Sequence, residues 1–313
     1  MRKRVLGGTG LEISVVGFGA WAIGGGGWEW GWGPQDDADS IAAIERAIDL
    51  GVNWIDTAAV YGFGRSEEVV GRAIRQMSEK PFIFTKCGLE GRNGIGVNEL
   101  KAATIERQCE DSLRRLGVEA IDLYQIHWPN PDQDIEEGWA ACAVLLSSGK
   151  VRHIGVSNFS VSQLERIGAL APVESLQPPY SLIDRDIEEK ILPYCAREEI
   201  GVIAYSPMAS GLLTGGFSAE RVAALPEDDF RSHVPRFQEP QLSRNLAAAE
   251  RLREVGERHG VSPGAVAVAW VLRNPVVSAA IVGFRRGDQV DGILPAAGEL
   301  ELSAEEIAFA EGE

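Results

Sequence analysis

The stretch DADSIAAIERAIDLGVNWIDTA (37–58) joins a segment of helical period to a short apolar run. Its first part carries acidic residues in the first turn and is followed by Gly51, features that favour a helix with defined ends. Its second part, NWIDTA (53–58), has a nearly continuous rather than alternating apolar pattern, which is typical of a parallel strand buried on both faces. The stretch therefore predicts a helix and a strand of an α/β fold.

Seven further apolar runs repeat this pattern along the chain. They are VVGFGA (15–20), PFIFTK (81–86), IDLYQIHW (121–128), HIGVSN (153–158), ESLQPP (174–179), GVIAYSP (201–207) and AAIVGF (279–284). Most neighbouring runs are separated by about thirty residues, the size of one strand–helix–strand repeat. Eight such units predict an α/β fold of the closed (β/α)₈ TIM-barrel type. An open, doubly wound sheet is the alternative, because strand order cannot be deduced from a sequence.

Two segments depart from the repeat. RVLGGTGLEIS (4–14) precedes the first run and predicts a small N-terminal β-hairpin, which we place across the barrel floor. More than seventy residues separate the last two runs, and they contain two helix patterns, QLSRNLAAAERLREVGERHG (241–260) and SPGAVAVAWVLRN (262–274). We interpret one pattern as the regular barrel helix and the other as an extra helix between strand 7 and helix 7.

The composition limits the class of protein. With 45% apolar and 24% charged residues, the chain has the balance of a globular protein, and we expect residues 1–313 to form a single domain. The four cysteines are widely spaced, so we interpret them as reduced, mostly buried thiols of a cytoplasmic protein. A formal net charge of −16 argues against nucleic acid and anionic membranes as partners. No apolar run reaches the length of a membrane span.

Polar residues follow the predicted strands, where a parallel barrel gathers its functional groups. Four of them form the candidate catalytic set: Asp56, Tyr61, Lys86 and His127. Asp56 and Lys86 end neighbouring strands, so their opposite charges can offset the cost of burial. We expect the ammonium to lower the pKa of the Tyr61 phenol, and a neutral His127 to orient a carbonyl oxygen. The charged pair taken alone is also compatible with a structural salt bridge.

This set suits proton delivery to a carbonyl oxygen while a hydride reaches the carbon, and the hydride must come from a cofactor. A Schiff-base aldolase or lyase with Lys86 as the nucleophile is an alternative. Such an enzyme needs a lysine held away from carboxylates, whereas Asp56 would keep Lys86 protonated.

Several motifs, taken in order, resemble those of the aldo-keto reductases. They are NWIDTAAVYGFGRSE, FIFTK, DLYQIHW, GVSNF, LQPPY and AYSPMASGLLTG, and the resemblance extends from residue 1 to about 300. WAIGG, YGFGRSE and HWPNP are most similar to bacterial members associated with inositol and sugar metabolism. The resemblance implies NADPH-linked reduction of aldehydes and ketones, reversible toward oxidation of alcohols such as sugars or polyols. Potassium-channel β subunits also resemble these reductases, so a redox-sensing binding module remains an alternative.

The resemblance also implies the residues that bind NADP(H). Ser157, Asn158 and Gln177 would hold the nicotinamide carboxamide, and Tyr205 would stack on the ring. The loop 206–212 would wrap the pyrophosphate. The complete set implied is Gly19, Ala20, Trp21, Asp56, Ser157, Asn158, Gln177, Tyr205, Ser206, Pro207, Met208, Ser210, Gly211, Leu212, Gly283, Arg285 and Gln289.

At the end of the site that would bind adenosine, the sequence has two candidate phosphate-binding arginines but lacks a polar pair found in many relatives. Arg285 and Arg286 stand together after the eighth run, where a guanidinium pair could grip the 2′-phosphate of the cofactor, with Gln289 against adenine. Alternatively, both arginines pair with acids such as Asp288. Many relatives carry a Glu–Asn pair shortly after the glutamine, but this chain has Gly292 and Ile293, which removes a polar contact to adenine.

The run GGGGWEWGWG (24–33) predicts a mobile loop whose tryptophans either stack on a substrate or only cover the barrel rim. The predicted substrate contacts are Trp21, Trp28, Trp30, Phe63 and Trp128. GFGAWA (17–22) fits a dinucleotide-binding fingerprint, but the glycines that follow do not start a helix. The histidines show no metal-ligand spacing, so no metal site is predicted. The physiological substrate and the oligomeric state are not specified by the sequence.

Overall fold

The structure is a computed structural model that describes residues 1–227 and 229–313. In these ranges the strands are β1 (Lys3–Val5), β2 (Glu12–Ser14), β3 (Val16–Gly19), β4 (Trp54–Asp56), β5 (Phe82–Cys87), β6 (Leu89–Arg92), β7 (Ile95–Asn98), β8 (Leu123–Ile126), β9 (Ile154–Ser157), β10 (Ser175–Gln177), β11 (Gly201–Ala204) and β12 (Val277–Gly283). The helices are α1 (Asp37–Asp49), α2 (Arg65–Ile74), α3 (Ala102–Leu116), α4 (Ile135–Ser147), α5 (Val161–Gly168), α6 (Ile191–Arg197), α7 (Ala219–Ala223), α8 (Gln241–His259), α9 (Pro263–Leu272), α10 (Gly287–Asp291), α11 (Leu294–Ala297) and α12 (Ala304–Glu311).

Eight parallel strands close into a barrel in the order β3, β4, β5, β8, β9, β10, β11, β12, and β12 pairs back to β3. Each of the eight predicted apolar runs supplies one of these strands. The strands are buried almost throughout, because helices cover the outer face and side chains fill the interior. The predicted TIM barrel is confirmed, and the open-sheet alternative is wrong.

The predicted hairpin closes the barrel floor. β1 and β2 pair antiparallel, and the turn between them places Leu6 against the start of β11. Leu6 and Ile13 are fully buried in one apolar cluster with Trp54 and Phe84, which point into the barrel. The N-terminal hairpin thus adds its apolar side chains to the lower layer of the barrel core.

Both helix patterns between β11 and β12 form helices. Ser262 caps α9 by accepting a hydrogen bond from the backbone of Ala265, and α9 is buried at every position after Pro263. It packs against β12, whereas α8 packs against α9 and α12. We therefore identify α9 as the regular barrel helix and α8 as the predicted extra helix. Within residues 1–227 and 229–313, no helix has the length and apolar character needed to cross a bilayer.

A second hairpin, β6–β7, was not predicted from the sequence. Its turn contains Asn93 and Gly94, with φ of 52° and 82°, the backbone geometry that favours an Asn–Gly pair in a tight hairpin. A Cβ atom on Gly91 would lie 2.1 Å from the ring of Phe63, and one on Gly96 would lie 2.7 Å from Trp30. The hairpin therefore needs glycine to pack against aromatic rings beside the barrel mouth.

The cysteines fit the expectation of buried, reduced thiols. Cys87, Cys109, Cys142 and Cys195 are all buried and free. Burial raises the pKa of the Cys109 and Cys195 thiols to about 12, so both thiols stay protonated.

Candidate active site

A cavity of about 680 Å³ opens at the carboxyl ends of the barrel strands. Asp56, Tyr61 and His127 lie on its wall, as do Arg285 and Gln289 beyond β12. All of the implied cofactor residues line the cavity except Ala20 and Leu212, which are fully buried behind the wall. The closed barrel therefore brings residues that are up to 270 positions apart in the sequence to one site.

Lys86 is the centre of the predicted catalytic set. Its Nζ atom lies 2.5 Å from Asp56 Oδ1, 2.9 Å from the carbonyl oxygen of Thr57 and 3.2 Å from Tyr61 Oη. These partners use all three hydrogens of the ammonium group. Burial lowers the pKa of Lys86, while the charge of Asp56 acts in the opposite direction. Asp56 therefore holds the ammonium in place and favours its protonated form.

The pKa of the Tyr61 phenol is raised well above its ordinary value, first by burial and then by the negative charge of Asp56. The expectation that this pKa would lie below its ordinary value is wrong for this structure, because the net shift is upward in spite of the neighbouring ammonium. Desolvation disfavours the phenolate, and the carboxylate behind Lys86 adds to that effect. Tyr61 is therefore a protonated phenol at neutral pH, the form that can donate a proton.

His127 follows β8 and packs edge-on against Tyr61, with 5.6 Å between ring centroids. Burial, followed by the charge of Lys86, lowers the pKa of His127 well below its ordinary value. The imidazole is therefore neutral at neutral pH, the state assumed in the sequence analysis. A neutral imidazole retains one N–H with which to meet an oxygen atom in the cavity.

The first turn of α2 braces this set, a role that the sequence analysis did not assign. Ser66 Oγ lies 2.8 Å from Thr57 Oγ1 and donates to the carbonyl oxygen of Ala20 at 2.8 Å. Glu67, fully buried, accepts from Thr85 Oγ1 at 2.6 Å and pairs with Arg115. The motif YGFGRSE contained a signal for this role. Ser66 and Glu67 start a helix, and polar side chains that are buried there need polar partners.

The residues implied for the nicotinamide carboxamide form one connected network. Tyr205 Oη donates to Asn158 Oδ1 at 2.9 Å, and Asn158 Nδ2 donates to the carbonyl oxygen of His127 at 3.0 Å. Gln177 Nε2 donates to the free oxygen of Asp56 at 2.8 Å. The network therefore ties β9, β10 and β11 to the catalytic set.

The loop after β11 has an unusual backbone. Ser206, Ala209 and Ser210 have φ of 56°, 50° and 59°, values that residues other than glycine rarely adopt. Gly211 continues the loop with φ of 90°. Strained backbone of this kind is concentrated at binding sites, where the surrounding structure must hold it in place.

The two adjacent arginines separate in the structure. Arg286 is exposed, and its Nε and Nη2 atoms donate to the two carboxylate oxygens of Asp288 at 3.0 and 3.1 Å. This is the pairing that the alternative interpretation of the arginines predicted for Arg286. Arg285 instead faces the cavity wall, and its guanidinium binds the loop that follows β3. The expected gripping pair therefore does not form, and only Arg285 is placed to meet a ligand. Gly292 and Ile293 also line the cavity and bring no polar side chain to it.

The aromatic residues form a wall above the catalytic set. Trp21, Trp28, Trp30 and Trp128 line the cavity, whereas Phe63 lies outside it and packs against Trp28. The loop tryptophans are held in place: Trp28 Nε1 donates to Gly25 O and Trp21 Nε1 donates to Trp30 O, both at 3.0 Å. The second of these bonds attaches the run 24–33 to Trp21 on the cavity wall, and the mobility expected of the loop stays a prediction. Asn98, Asn130 and Arg231, which the sequence analysis did not name, complete the wall.

The cavity wall carries hydrogen-bond donors that suit a ligand rich in acceptors. Trp32 lines the wall, and its indole N–H is buried without an acceptor among residues 1–227 and 229–313. Backbone groups of the strained loop and the guanidinium of Arg285 offer further donors. This donor set suits a nicotinamide dinucleotide. In the same two ranges, no group of three His, Cys, Asp or Glu side chains could hold a metal ion.

A family profile and a relative of known sequence both place the chain in the same family. The profile described as "Aldo/keto reductase family" matches residues 16–311. The aldo-keto reductase YhdN of Bacillus subtilis (strain 168) is 40% identical over 288 residues, which cover 91% of this chain and 85% of that protein.

Two solved structures share the fold along nearly the whole chain. The glycerol dehydrogenase AKR11B4 from Gluconobacter oxydans has a TM-score of 0.88 and 40% identity, covering 99% of this chain and 94% of its own. The holo form of the aldo-keto reductase AKR11C1 from Bacillus halodurans has a TM-score of 0.79 and 26% identity, covering 100% and 96%. The chain therefore belongs to the aldo/keto reductase family, whose members are oxidoreductases that use nicotinamide cofactors.

Proposed function

We propose that this protein is an NADPH-dependent reductase of aldehydes and ketones, with residues 1–313 acting as one domain. The reaction is reversible toward oxidation of alcohols, and Tyr61 is the general acid and base. One observation carries the proposal: the protonated phenol of Tyr61 lies 3.2 Å from an ammonium group that Asp56 holds at 2.5 Å. Such an arrangement supplies a proton and then stabilises the phenolate left behind.

The residues around the cavity are suited to hold the cofactor. Ser157, Asn158 and Gln177 would bind the carboxamide, and Tyr205 would lie against the ring. When bound, a reduced nicotinamide supplies a hydride to the carbonyl carbon. Tyr205 is already fixed by its hydrogen bond to Asn158, so its ring is oriented before any ligand binds.

The protein's own residues provide the other half of the reduction. As negative charge develops on the carbonyl oxygen, Tyr61 transfers its phenolic proton to that oxygen. The Lys86 ammonium stabilises the phenolate through its hydrogen bond to Tyr61 Oη. Neutral His127 orients the carbonyl oxygen through its N–H. Asp56 keeps Lys86 protonated throughout, so the proton comes from Tyr61 and not from the lysine.

The preference for NADPH over NADH is assigned to Arg285. Three of its five N–H groups bind the loop after β3, and the other two make no hydrogen bond within residues 1–227 and 229–313. The acidic chain as a whole repels an anion, so a local guanidinium is needed to hold a 2′-phosphate. NADH has a hydroxyl at that position and would gain little from the charge.

The substrate is proposed to be a small carbonyl compound of the sugar or polyol class. Trp21, Trp28 and Trp30 present aromatic faces and edges, while Asn98 and Asn130 supply carboxamides for hydroxyl groups. The related structure from Gluconobacter oxydans is that of a glycerol dehydrogenase, which supports the polyol assignment. This association agrees with the similarity of WAIGG and HWPNP to bacterial members of inositol and sugar metabolism.

The aldolase alternative is disfavoured by the contacts of Lys86. Its Nζ atom is bound to a carboxylate at 2.5 Å and is enclosed by protein, so it is held as an ammonium and not as a free amine nucleophile. A redox-sensing binding module would have the same residues, so only a measurement of turnover distinguishes it from a reductase. The test is NADPH consumption with a panel of small aldehydes, hydroxy ketones and aldoses. Turnover with some of these supports the reductase, and tight NADPH binding without any turnover supports the sensor.

A further inference from the structure

Arg285 is bound to the opposite side of the cavity mouth. Its Nε lies 2.5 Å from Gln35 Oε1, one terminal nitrogen donates to Trp32 O at 3.0 Å, and the other donates to Pro34 O. All three acceptors belong to the segment 28–35, here called the tryptophan segment. A cation that forms three hydrogen bonds to one segment restrains its position.

Gln35 completes the attachment from the other side. Its Nε2 atom donates to the carbonyl oxygen of Arg285 at 2.9 Å and to Ser40 Oγ at 3.0 Å, at the start of α1. Gln35 and Arg285 therefore hold each other through both side-chain and backbone groups. The pair connects the end of the tryptophan segment to β12 and to α1.

The attachment reaches the substrate wall through packed rings. Trp32 lies edge-on to Trp21 with 5.5 Å between centroids, and Trp21 lies 6.5 Å from Tyr61. On its other side, Trp32 is covered by the guanidinium of Arg231 at 4.6 Å. A shift of Trp32 would therefore move the ring of Trp21, which faces the candidate proton donor.

We propose that Gln35 and Arg285 are positioning residues that set the width of the substrate site by anchoring the tryptophan segment. The guanidinium assigned to the cofactor phosphate also holds the wall that contacts the substrate, so it couples the two ligands. The coupling to the phosphate rests on the proposed function, whereas the anchoring of the segment does not depend on it. Occupation of the two remaining N–H groups of Arg285 would tighten the same wall.

The deciding variant is Gln35→Leu. Gln35 lies outside the cavity wall, so this substitution removes only the hydrogen bonds that anchor the tryptophan segment. Hydrogen exchange of the backbone over residues 28–35 should rise in this variant. The KM for a small carbonyl substrate should increase about tenfold, the scale of one lost hydrogen bond to a charged group. The value of kcat should stay near wild type, since Tyr61 and Lys86 are untouched. A merely structural role would lower Tm and reduce kcat as well.

Arg285→Lys and Arg286→Leu serve as the second variant and the matched control. Lysine keeps the charge but cannot form three divergent bonds, so exchange of the segment should rise while much of the NADPH affinity remains. Arg286→Leu removes the neighbouring exposed charge and should change neither exchange nor KM. Wild-type exchange and KM in Gln35→Leu would overturn the anchor. If the segment loosens but NADPH and NADH bind equally well to the wild type, the phosphate assignment fails and the anchor stands.

Discussion

The Nζ atom of Lys86 lies 3.2 Å from the phenolic oxygen of Tyr61 and donates a hydrogen bond to it. The bond matters more for the phenolate than for the phenol, because an ammonium stabilises a negative oxygen far better than a neutral one. The pair thus helps the state that forms after proton transfer. It does so even though burial and Asp56 raise the pKa of the resting phenol.

Lys86→Met should lower kcat for carbonyl reduction by about two orders of magnitude or more, the range of one acid–base contribution. Loss of the ammonium raises the pKa of Tyr61 further, so alcohol oxidation, which needs the phenolate, should move to higher pH. The measurement is the pH profile of oxidation. Because the change leaves Asp56 buried without its cation, Asp56→Asn/Lys86→Met should be measured beside it. An unmoved profile in both would remove the role assigned to Lys86.

The pH dependence of stability should reveal the half-buried, neutral His127. In the unfolded chain this imidazole binds a proton below about pH 6.5, while in the folded chain its pKa is well below that value. The unfolded state then binds more protons, so stability falls as the pH drops, by up to about 1.4 kcal/mol for each pH unit. The Tm of His127→Gln should therefore fall less than that of wild type between about pH 7 and 5.5. The control is His233→Gln at an exposed position, and parallel losses in all three proteins would contradict a neutral imidazole at His127.

Arg285→Ala should weaken NADPH binding at least tenfold and leave NADH binding nearly unchanged. A charged hydrogen bond is worth about 1.5–3 kcal/mol, or one to two decades in affinity. Quenching of tryptophan fluorescence can report both dissociation constants. The control is Arg286→Ala, which loses only an exposed pair with Asp288 and should bind both cofactors like wild type. Equal losses for the two cofactors in Arg285→Ala would show that Arg285 does not read the 2′-phosphate.

The barrel could be predicted because its signals are local. Each strand is a short apolar run, and the turn of the N-terminal hairpin lies among its own glycines. The hairpin β6–β7 was equally local, since Asn93–Gly94 is a strong turn signal, but it interrupts the strand–helix repeat on which the analysis depended. Its glycines are explained only by Phe63 and Trp30, which are distant in sequence.

The sequence could predict which candidate residues lie together around one cavity, but not the pKa shifts of those residues. Asp56, Tyr61, Lys86 and His127 were named from strand ends, yet the direction of the Tyr61 pKa shift depends on burial and on the nearness of Asp56. No sequence pattern shows those quantities. Similarly, Arg285 and Arg286 are adjacent in the chain, but their partners are 250 residues and two residues away, respectively.

The most direct test of the account is Tyr61→Phe, which removes only the proton donor. A single turnover with NADPH and a small aldehyde should be slowed by about two to four orders of magnitude, the range of general acid catalysis. NADPH should still quench tryptophan fluorescence with a Kd near that of wild type, because the phenol is not needed to hold the cofactor. Tyr205→Phe is a matched phenol deletion that should keep most of the chemical rate. If Tyr61→Phe retained more than a few per cent of the wild-type rate, Tyr61 would not be the acid and the proposed mechanism would be wrong.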